Sequence, residues 1–241
     1  MKEEKLRFES YDLQASGFVR PSAVLRRMQQ MARDDLNDFG ISYEDMRKKN
    51  MAFVVSKIAL LWSRPLQGEI PLTMRTAACA THGATFPRSF VISDERGICL
   101  RAMTLWALLD FEKRSLLRPS ALWKEIPVFE DLSDGLSCAR LSAKKEESPD
   151  LFDRRRVYAS MLDQNLHLNN CNYADLMTDL LPEDRAVKEM HITFQKEAKR
   201  GDLLAISGWK EEDSVLISGH FEENGNPCFL GRIRTFEDEN V

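Results

Sequence analysis

The chain lacks the compositional marks of disordered, fibrous and membrane-spanning proteins. Its 241 residues include only 11 Gly and 9 Pro, while 43% are hydrophobic and 30% charged, which excludes collagen-like and low-complexity chains. No segment approaches the roughly 18–20 consecutive apolar residues of a membrane-spanning helix. The N-terminal run MKEEKLRFES lacks the apolar stretch of a secretory signal. We therefore predict a globular cytoplasmic protein with no membrane span.

The chain is also poor in residues that bind metals or form disulfides. Its five cysteines are dispersed with no CxxC spacing, which suits reduced thiols. His82, His191 and His220 are isolated, without HxH or HExxH patterns, and no glycine-rich phosphate loop occurs. We therefore predict neither a metal site nor a cofactor. The cysteines are Cys79, Cys99, Cys138, Cys171 and Cys228.

Positive charge is not in excess. The chain has 34 Lys and Arg against 38 Asp and Glu, a formal net charge of −4, so no global basic field exists to bind nucleic acid. A charged partner would have to meet a local patch. Four basic clusters are available: Arg26–Arg27, Arg47–Lys49, Arg154–Arg156, and Lys196 with Lys199 and Arg200.

The hydrophobic pattern of the first half predicts one long helix between strands. A short strand is expected at 6–13. Ser22 then caps a helix over 23–39 that Gly40 ends, with Val24, Leu25, Met28 and Met31 on its apolar face. Runs rich in β-branched and aromatic residues predict four strands at 51–64, 71–80, 85–97 and 98–111.

The second half predicts the same order after an exposed linker at 116–150, in which a short helix or turn lies around 121–126. A strand is expected at 154–160, followed by a helix at 171–181 that Asn170 caps and Pro182 stops. Four strands follow at 189–199, 203–210, 215–223 and 228–236.

The two halves align when the turn at Gly68-Glu69 is placed on the turn at Gly201-Asp202. This internal repeat predicts an α+β fold of two tandem hot-dog units, each a helix wrapped by an antiparallel sheet. We place the N-terminal unit at 1–115, the linker at 116–150 and the C-terminal unit at 151–241. Two unrelated α+β domains are the alternative.

The densest polar run, at 161–173, precedes the second helix. In an extended chain, alternation would put Asp163, Asn165, His167 and Asn169 on one side. A carboxylate, an amide and an imidazole facing one pocket are the parts of a hydrolytic site. A polar, Asn-rich loop that only caps the helix explains the run equally well.

The run DQNLHLNNCNY resembles the hallmark Asp-x-Asn-x-His-x-Asn-Asn-x-x-Tyr of the acyl-acyl-carrier-protein (acyl-ACP) thioesterases of plants and bacteria. The resemblance extends over about residues 6–236. It includes ITFQKEAKRGD at 192–202, which is similar to the family strand that carries a catalytic Glu and maps it onto Glu197. The family often has Cys after this Glu, whereas this chain has Ala198. The matched hallmark positions are Asp163, Asn165, His167, Asn169, Asn170 and Tyr173.

The resemblance implies roles for these residues. Glu197 would act as general base on water or as nucleophile, with Asp163 orienting the site or sharing the proton transfer. Asn165 would hold the acyl carbonyl or the water, and His167 would polarise and supply protons. Asn169, Asn170 and Tyr173 would support the site, and the N–H groups that open the helix after Asn170 would bind the oxyanion.

Only one repeat carries these groups. On the turn alignment, the counterpart of Glu197 is Arg64, and DLQASGFVRPS before the first helix has neither His nor paired Asn. The first repeat is therefore expected to shape an acyl pocket, with Met28 and Met31 either lining it or packing the core. The implied partner is acyl-ACP, an acidic protein that a local basic patch would attract.

Several alternatives stay open from sequence. Cys171, four residues from His167, is a conceivable nucleophile. Coenzyme A thioesters are the nearest substrate competitor, a hot-dog hydratase is a second enzymatic alternative, and a non-catalytic acyl-thioester-binding protein is a third. The sequence does not fix the oligomeric state, and a homodimer is one possibility. Two tandem hot-dog units already contain the sheet pairing that single units obtain by dimerising.

Overall fold

A computed structural model describes residues 1–144, 148–181 and 185–237, so the predicted helix stop at Pro182 lies outside the described residues. The first half contains β1 (Lys2–Leu6), α1 (Pro21–Asp38), α2 (Tyr43–Lys48), β2 (Met51–Trp62), β3 (Leu72–Ala78), β4 (Thr85–Asp94) and β5 (Gly97–Asp110). Then follow β6 (Ser115–Leu117), β7 (Leu151–Arg156), α3 (Asn172–Thr178), β8 (Val187–Phe194), β9 (Leu203–Lys210), β10 (Val215–Phe221) and β11 (Pro227–Thr235).

These strands form one antiparallel sheet in the order β1-β3-β4-β5-β2-β8-β11-β10-β9-β7, with β6 beside β5. The order is the same when read from either end, since β7, β9, β10, β11 and β8 of the second half match β1, β3, β4, β5 and β2 of the first. The halves join where β2 pairs with β8, from Lys57 opposite Thr193 to Leu61 opposite Glu189. The fold is thus α+β and contains an internal repeat.

Backbone hydrogen bonds give the alignment of the two halves. Glu69 donates its N–H to Phe8 O at 2.8 Å, and Gly201 donates to Val157 O at 2.9 Å. Both donors have positive φ, 61° and 94°. Gly201 therefore corresponds to Glu69, and the predicted alignment of Gly68 with Gly201 is wrong by one residue. Glycine favours positive φ, which made Gly68 the more attractive choice from sequence.

The long helix forms as its pattern predicts but begins differently. Its apolar residues Val24, Leu25, Met28 and Met31 are buried against the sheet. The helix starts at Pro21, whose fixed φ suits the first helical position, and Ser22 is buried inside the first turn instead of capping it. Among the described residues, no helix is both long enough and apolar enough to cross a membrane.

Several element boundaries differ from the sequence expectation. The first strand ends at Leu6, because residues 10–12 form a 3-10 turn instead of continuing to residue 13. β7 lies three residues earlier than predicted, at Leu151–Arg156, and α3 ends at Thr178. β8 ends at Phe194, so Glu197 lies beyond the strand. The short elements α2 and β6 were not predicted.

The connection between the halves crosses the sheet. It begins with β6 on β5, and a 3-10 turn at Pro119–Ala121 lies at the start of the short helix or turn expected around 121–126. Farther along, Phe129 donates its N–H to Ala78 O at 2.8 Å, and Ala139 donates to His191 Nδ1 at 3.2 Å. The segment thus touches strands of both halves.

One ion pair is enclosed by the first half. Arg88 on β4 donates to the Asp35 carboxylate of α1 at 2.7 Å and to Thr76 Oγ1 at 3.2 Å. The Arg88 and Asp35 side chains are only 6% and 3% exposed. Removing one member of such a pair leaves an uncompensated buried charge, which costs far more than losing a surface pair.

We predict that Arg88→Met lowers the free energy of unfolding by about 3–5 kcal/mol, because Asp35 is left buried without its partner. The double variant R88M/D35L restores much of this loss, since an apolar pair needs no counter-charge. The matched control is Arg154→Met, which removes an exposed pair with Glu222 and costs less than about 1 kcal/mol. Urea denaturation measures all three. A loss for R88M no larger than the control contradicts the account.

Candidate active site

The polar run before α3 folds as a tight turn. Leu162 and Leu168 pair as an isolated bridge, Asp163 donates its N–H to His167 O at 2.8 Å, and Leu166 has φ of 64°. The run is therefore not extended, and the alternation expected from Asp163 to Asn169 does not apply. The side chains separate into two groups, one towards a cavity and one towards the segment after β8.

The Asp163 carboxylate holds this turn together. Its Oδ1 accepts the N–H of Asn165 at 2.8 Å and that of His167 at 3.2 Å. Its Oδ2 lies 3.5 Å from Asn165 Nδ2. This is an Asx turn extended by one further bond, in which a side-chain acceptor replaces a backbone one. Asp163 therefore fixes the positions of Asn165 and His167.

His167 meets Glu197 on the other side of the turn. His167 Nε2 lies 3.3 Å from Glu197 Oε2, with the side chains 25% and 59% exposed. The contact follows from the backbone, because Leu168 donates its N–H to Ala198 O at 2.7 Å and so places the two segments side by side. An imidazole paired with a solvent-accessible carboxylate is a unit that can accept and deliver protons.

Asn165 is fixed from the opposite direction by Tyr43, a residue that the sequence analysis did not identify. The Tyr43 hydroxyl donates to Asn165 Oδ1 at 2.7 Å, across 122 residues of chain. Tyr43 begins α2, where Ser42 caps the helix by accepting the N–H of Asp45 at 3.1 Å. The Ser-x-x-Asp spacing was the available signal for this helix start.

A cavity of about 690 Å³ lies beside the turn, mostly within the first half. Asp163, Gln164, Asn165 and Asn169 line one part of it, whereas His167 and Glu197 do not. The turn thus lies between the cavity and the His167–Glu197 pair and borders both. Its apolar lining includes Leu36, Ile41, Met46, Phe53, Phe86 and Trp106.

The cavity borders the polar side of α1, through residues such as Gln29, Gln30 and Arg33. Met28 and Met31 face the core and are 2% and 1% exposed. Core packing therefore accounts for these two methionines.

The second helix has Cys171 as its cap residue, without a side-chain cap bond, and the side-chain acceptor just before the helix is Asn169. Its Oδ1 accepts the N–H of Cys171 at 3.0 Å, and its backbone O accepts that of Asn172 at 2.9 Å. The predicted cap at Asn170 is wrong. Because these two N–H groups already have partners, they are not available as the oxyanion donors that were expected after Asn170.

Tyr173 supports the segment that carries Glu197. It is buried, and its ring lies edge-on at 5.2 Å from both Phe194 and Phe229. Its hydroxyl lies 3.6 Å from Cys228 Sγ, which in turn donates to Lys196 O at 3.3 Å. Burial raises the pKa of Tyr173, so the hydroxyl stays protonated. Tyr173 is therefore a packing and positioning residue.

The geometry does not suit a cysteine nucleophile. Cys171 is 2% exposed, and its Sγ donates to Gln29 Oε1 at 3.3 Å. Burial raises the pKa of this thiol to about 12, so the reactive thiolate is not formed near neutral pH. Ala198, where the family often has Cys, is fully buried.

The first repeat has the same turn with different side chains. Gln14 donates its N–H to Phe18 O at 2.8 Å, as Asp163 does to His167 O, so Gln14 and Phe18 occupy the positions of Asp163 and His167. Val19 donates its N–H to Leu66 O at 2.9 Å, as Leu168 does to Ala198 O. The counterpart of Glu197 is therefore Pro65, which corrects the expected Arg64.

Comparisons with solved structures agree with this fold. An acyl-ACP thioesterase from Bacteroides thetaiotaomicron is similar with a TM-score of 0.87 and 15% identity, over 98% of this chain and 97% of that one. A 12:0-ACP thioesterase from Umbellularia californica is similar with a TM-score of 0.81 and 17% identity, over 97% and 96%. A MaoC-like dehydratase from Phytophthora capsici gives 0.55 and 14%, over 78% and 70%.

The family assignment comes from sequence models. No curated protein sequence matches the chain significantly. The model of the acyl-ACP thioesterase N-terminal domain matches residues 2–126, and that of the C-terminal domain matches residues 143–234. Together these matches span most of the chain and confirm the resemblance seen in the residue 163–173 motif. The chain therefore belongs to the acyl-ACP thioesterase family and is a thioester hydrolase.

Proposed function

We propose that the protein hydrolyses acyl-ACP to free fatty acid and holo-ACP, and so ends chain elongation. One observation carries the proposal: a single turn holds Asn165 at the wall of a 690 Å³ cavity and His167 against Glu197. An acyl chain in the cavity would bring its thioester to this turn. Family membership supports the same substrate class.

We assign the first chemical step to Glu197. Its carboxylate takes a proton from water as the water oxygen attacks the thioester carbonyl, forming a tetrahedral intermediate. His167 Nε2, 3.3 Å away, holds the carboxylate oxygen in place. The exposure of Glu197 supports water as the nucleophile, because solvent reaches this carboxylate directly.

Asn165 and His167 take the remaining roles. With Asn165 Oδ1 occupied by Tyr43, its amide nitrogen is directed away from Tyr43 and has a hydrogen for the carbonyl oxygen. The carbon–sulfur bond then breaks, and the proton gained by the dyad passes to the thiolate. A thiol leaving group of pKa about 8.5 needs little acid assistance.

Asp163 acts as a positioning residue in this scheme. Its Oδ1 is already engaged by two N–H groups of the turn, so it serves the site by holding Asn165 and His167 in place. This distinguishes it from Glu197, whose partner is the His167 ring.

We further propose that the two halves are tandem hot-dog units, with an acyl-pocket unit at 1–115, a connection at 116–150 and a catalytic unit at 151–241. The repeated strand order and the one-sided placement of the polar groups support this division. The exposed basic residues next to Glu197 are consistent with an acidic carrier-protein substrate.

We predict that Glu197→Gln lowers kcat on acyl-ACP by at least about 10²-fold, because the amide keeps the shape but has no basic oxygen. Cys171→Ala is the matched control and stays within a few-fold. Free thiol release from a panel of acyl-ACPs, with acyl-coenzyme A of equal chain length in parallel, measures both variants.

Preference of the wild type for coenzyme A esters would contradict the carrier-protein assignment. If neither ester releases thiol, the hydratase and the binding-protein alternatives would be favoured over a thioesterase. Full activity of E197Q, together with an inactive C171A, would contradict the carboxylate mechanism and indicate that Cys171 is the nucleophile.

A second prediction separates positioning from acid–base chemistry at Asp163. Asp163→Ala removes the acceptor for both turn N–H groups and lowers kcat by at least about 10²-fold. Asp163→Asn keeps an oxygen at that place, so it recovers most of the activity with an unchanged pH–rate profile. Equal loss in both variants would show that the charge of Asp163 takes part in proton transfer.

A further inference from the structure

Exposed cations lie close to Glu197 along the chain. Lys196 and Lys199 flank Glu197, and Arg200 follows; all three are exposed. Arg156 lies near these residues, because its guanidinium donates to Gly201 O at 3.4 Å. No described carboxylate lies within 4.0 Å of the charged groups of these four residues. We call these four residues, Arg156, Lys196, Lys199 and Arg200, the rim.

In the first repeat, the cations at two of the corresponding positions form ion pairs with carboxylates. Arg64, the counterpart of Lys196, pairs with Asp94 at 2.5 Å. Arg7, the counterpart of Arg156, lies 3.7 Å from Glu9 and 3.8 Å from Glu69. These cations are therefore balanced by carboxylates of the same half.

The other two positions differ in residue type. Lys199 and Arg200 correspond to Gln67 and Gly68, which are uncharged. Across segments 156–158 and 196–201, the second repeat has four cations and one carboxylate, Glu197. The matching segments 7–9 and 64–69 have two cations and two carboxylates. The excess positive charge is thus specific to the repeat with the His–Glu pair, on backbone that both repeats share.

Apolar side chains lie on the same surface. Tyr158, at the position of Glu9, is 60% exposed. Leu166, at the tip of the turn, is 70% exposed and has positive φ where the first repeat has Gly17. Leucine is strained in this left-handed conformation, so the backbone of the turn by itself would favour glycine at this position. Exposed aromatic and apolar groups beside cations are typical of protein-binding surfaces.

Two other basic clusters can be compared with the rim. Arg154 pairs with Glu222 at 2.7 Å, and Arg155 pairs with Asp153. Near α2, Lys49 lies over the Trp123 ring at 5.1 Å, much as Lys196 of the rim lies over the Phe221 ring at 5.6 Å. Arg47 and Lys48 are exposed, so this cluster is the alternative docking surface. It lies at the end of the helix whose Tyr43 contacts Asn165, so the rim and this cluster are compared directly in the test.

We propose that the rim, with Tyr158 and Leu166, is the docking surface for the acidic face of the carrier protein. The inference rests on the proposed function and specifies the partner's position. Charge attraction would bring the carrier protein to the surface beside Glu197, where its thioester must react. Glu197 lies among the rim residues in the sequence, and Asp202 accepts the N–H of Lys199 at 2.7 Å.

The test uses the full-length chain with three rim cations replaced, K196Q/K199Q/R200Q. Its kcat/KM on acyl-ACP should fall at least about tenfold, mainly through KM, and should depend less on salt concentration than that of the wild type. Turnover of an acyl-N-acetylcysteamine thioester of equal chain length should not change. The matched control, R47Q/K48Q/K49Q, removes the same charge from α2 and should leave both activities unchanged.

The outcomes are distinguishable. A wild type that does not hydrolyse acyl-ACP contradicts the proposed function itself. An active wild type with an unaffected rim variant, or with loss confined to the α2 variant, overturns the docking surface. Equal loss on acyl-ACP and the small thioester also overturns it, because the rim residues would then act on the site and not on the carrier protein.

Discussion

The pairing of β2 with β8 is the contact on which the rest of the structure depends. Five residue pairs, from Lys57–Thr193 to Leu61–Glu189, join two repeats into one sheet. Because the repeats are fixed edge to edge, the turn of the second lies against the cavity of the first. The Tyr43–Asn165 hydrogen bond connects the first half to the turn of the second. The site is therefore a product of the assembly of both halves.

The two repeats share backbone and differ in chemistry. The turn closed by Asp163 N–H and His167 O recurs with Gln14 and Phe18 at the same distance of 2.8 Å. Backbone hydrogen bonds do not require particular side chains, so the turn persists while its polar groups change. One repeat holds the dyad and its cationic rim, and the other encloses most of the cavity. Duplication followed by such divergence explains why a symmetric sheet has a one-sided site.

Much of the fold could be predicted from sequence, because burial imposes regular patterns. The apolar face of α1 and the repeat of helix and strands follow directly from period and order. The turn at 163–169 did not, since alternation describes strands and the Asp163 side chain creates a turn. The one-residue alignment error arose because Glu69 adopts positive φ where glycine was expected. Tyr43 was missed because a six-residue helix is too short to display a period.

We propose that Glu197, held by His167, activates water for direct attack on the thioester. A single turnover of acyl-ACP in oxygen-18 water, with enzyme in excess, tests it most directly by mass spectrometry of the fatty acid and of the peptide containing Glu197. The account predicts label in the fatty acid and none in the peptide, because no covalent acyl-enzyme forms. Label in the Glu197 carboxylate would contradict it, since an anhydride with Glu197 would then precede hydrolysis.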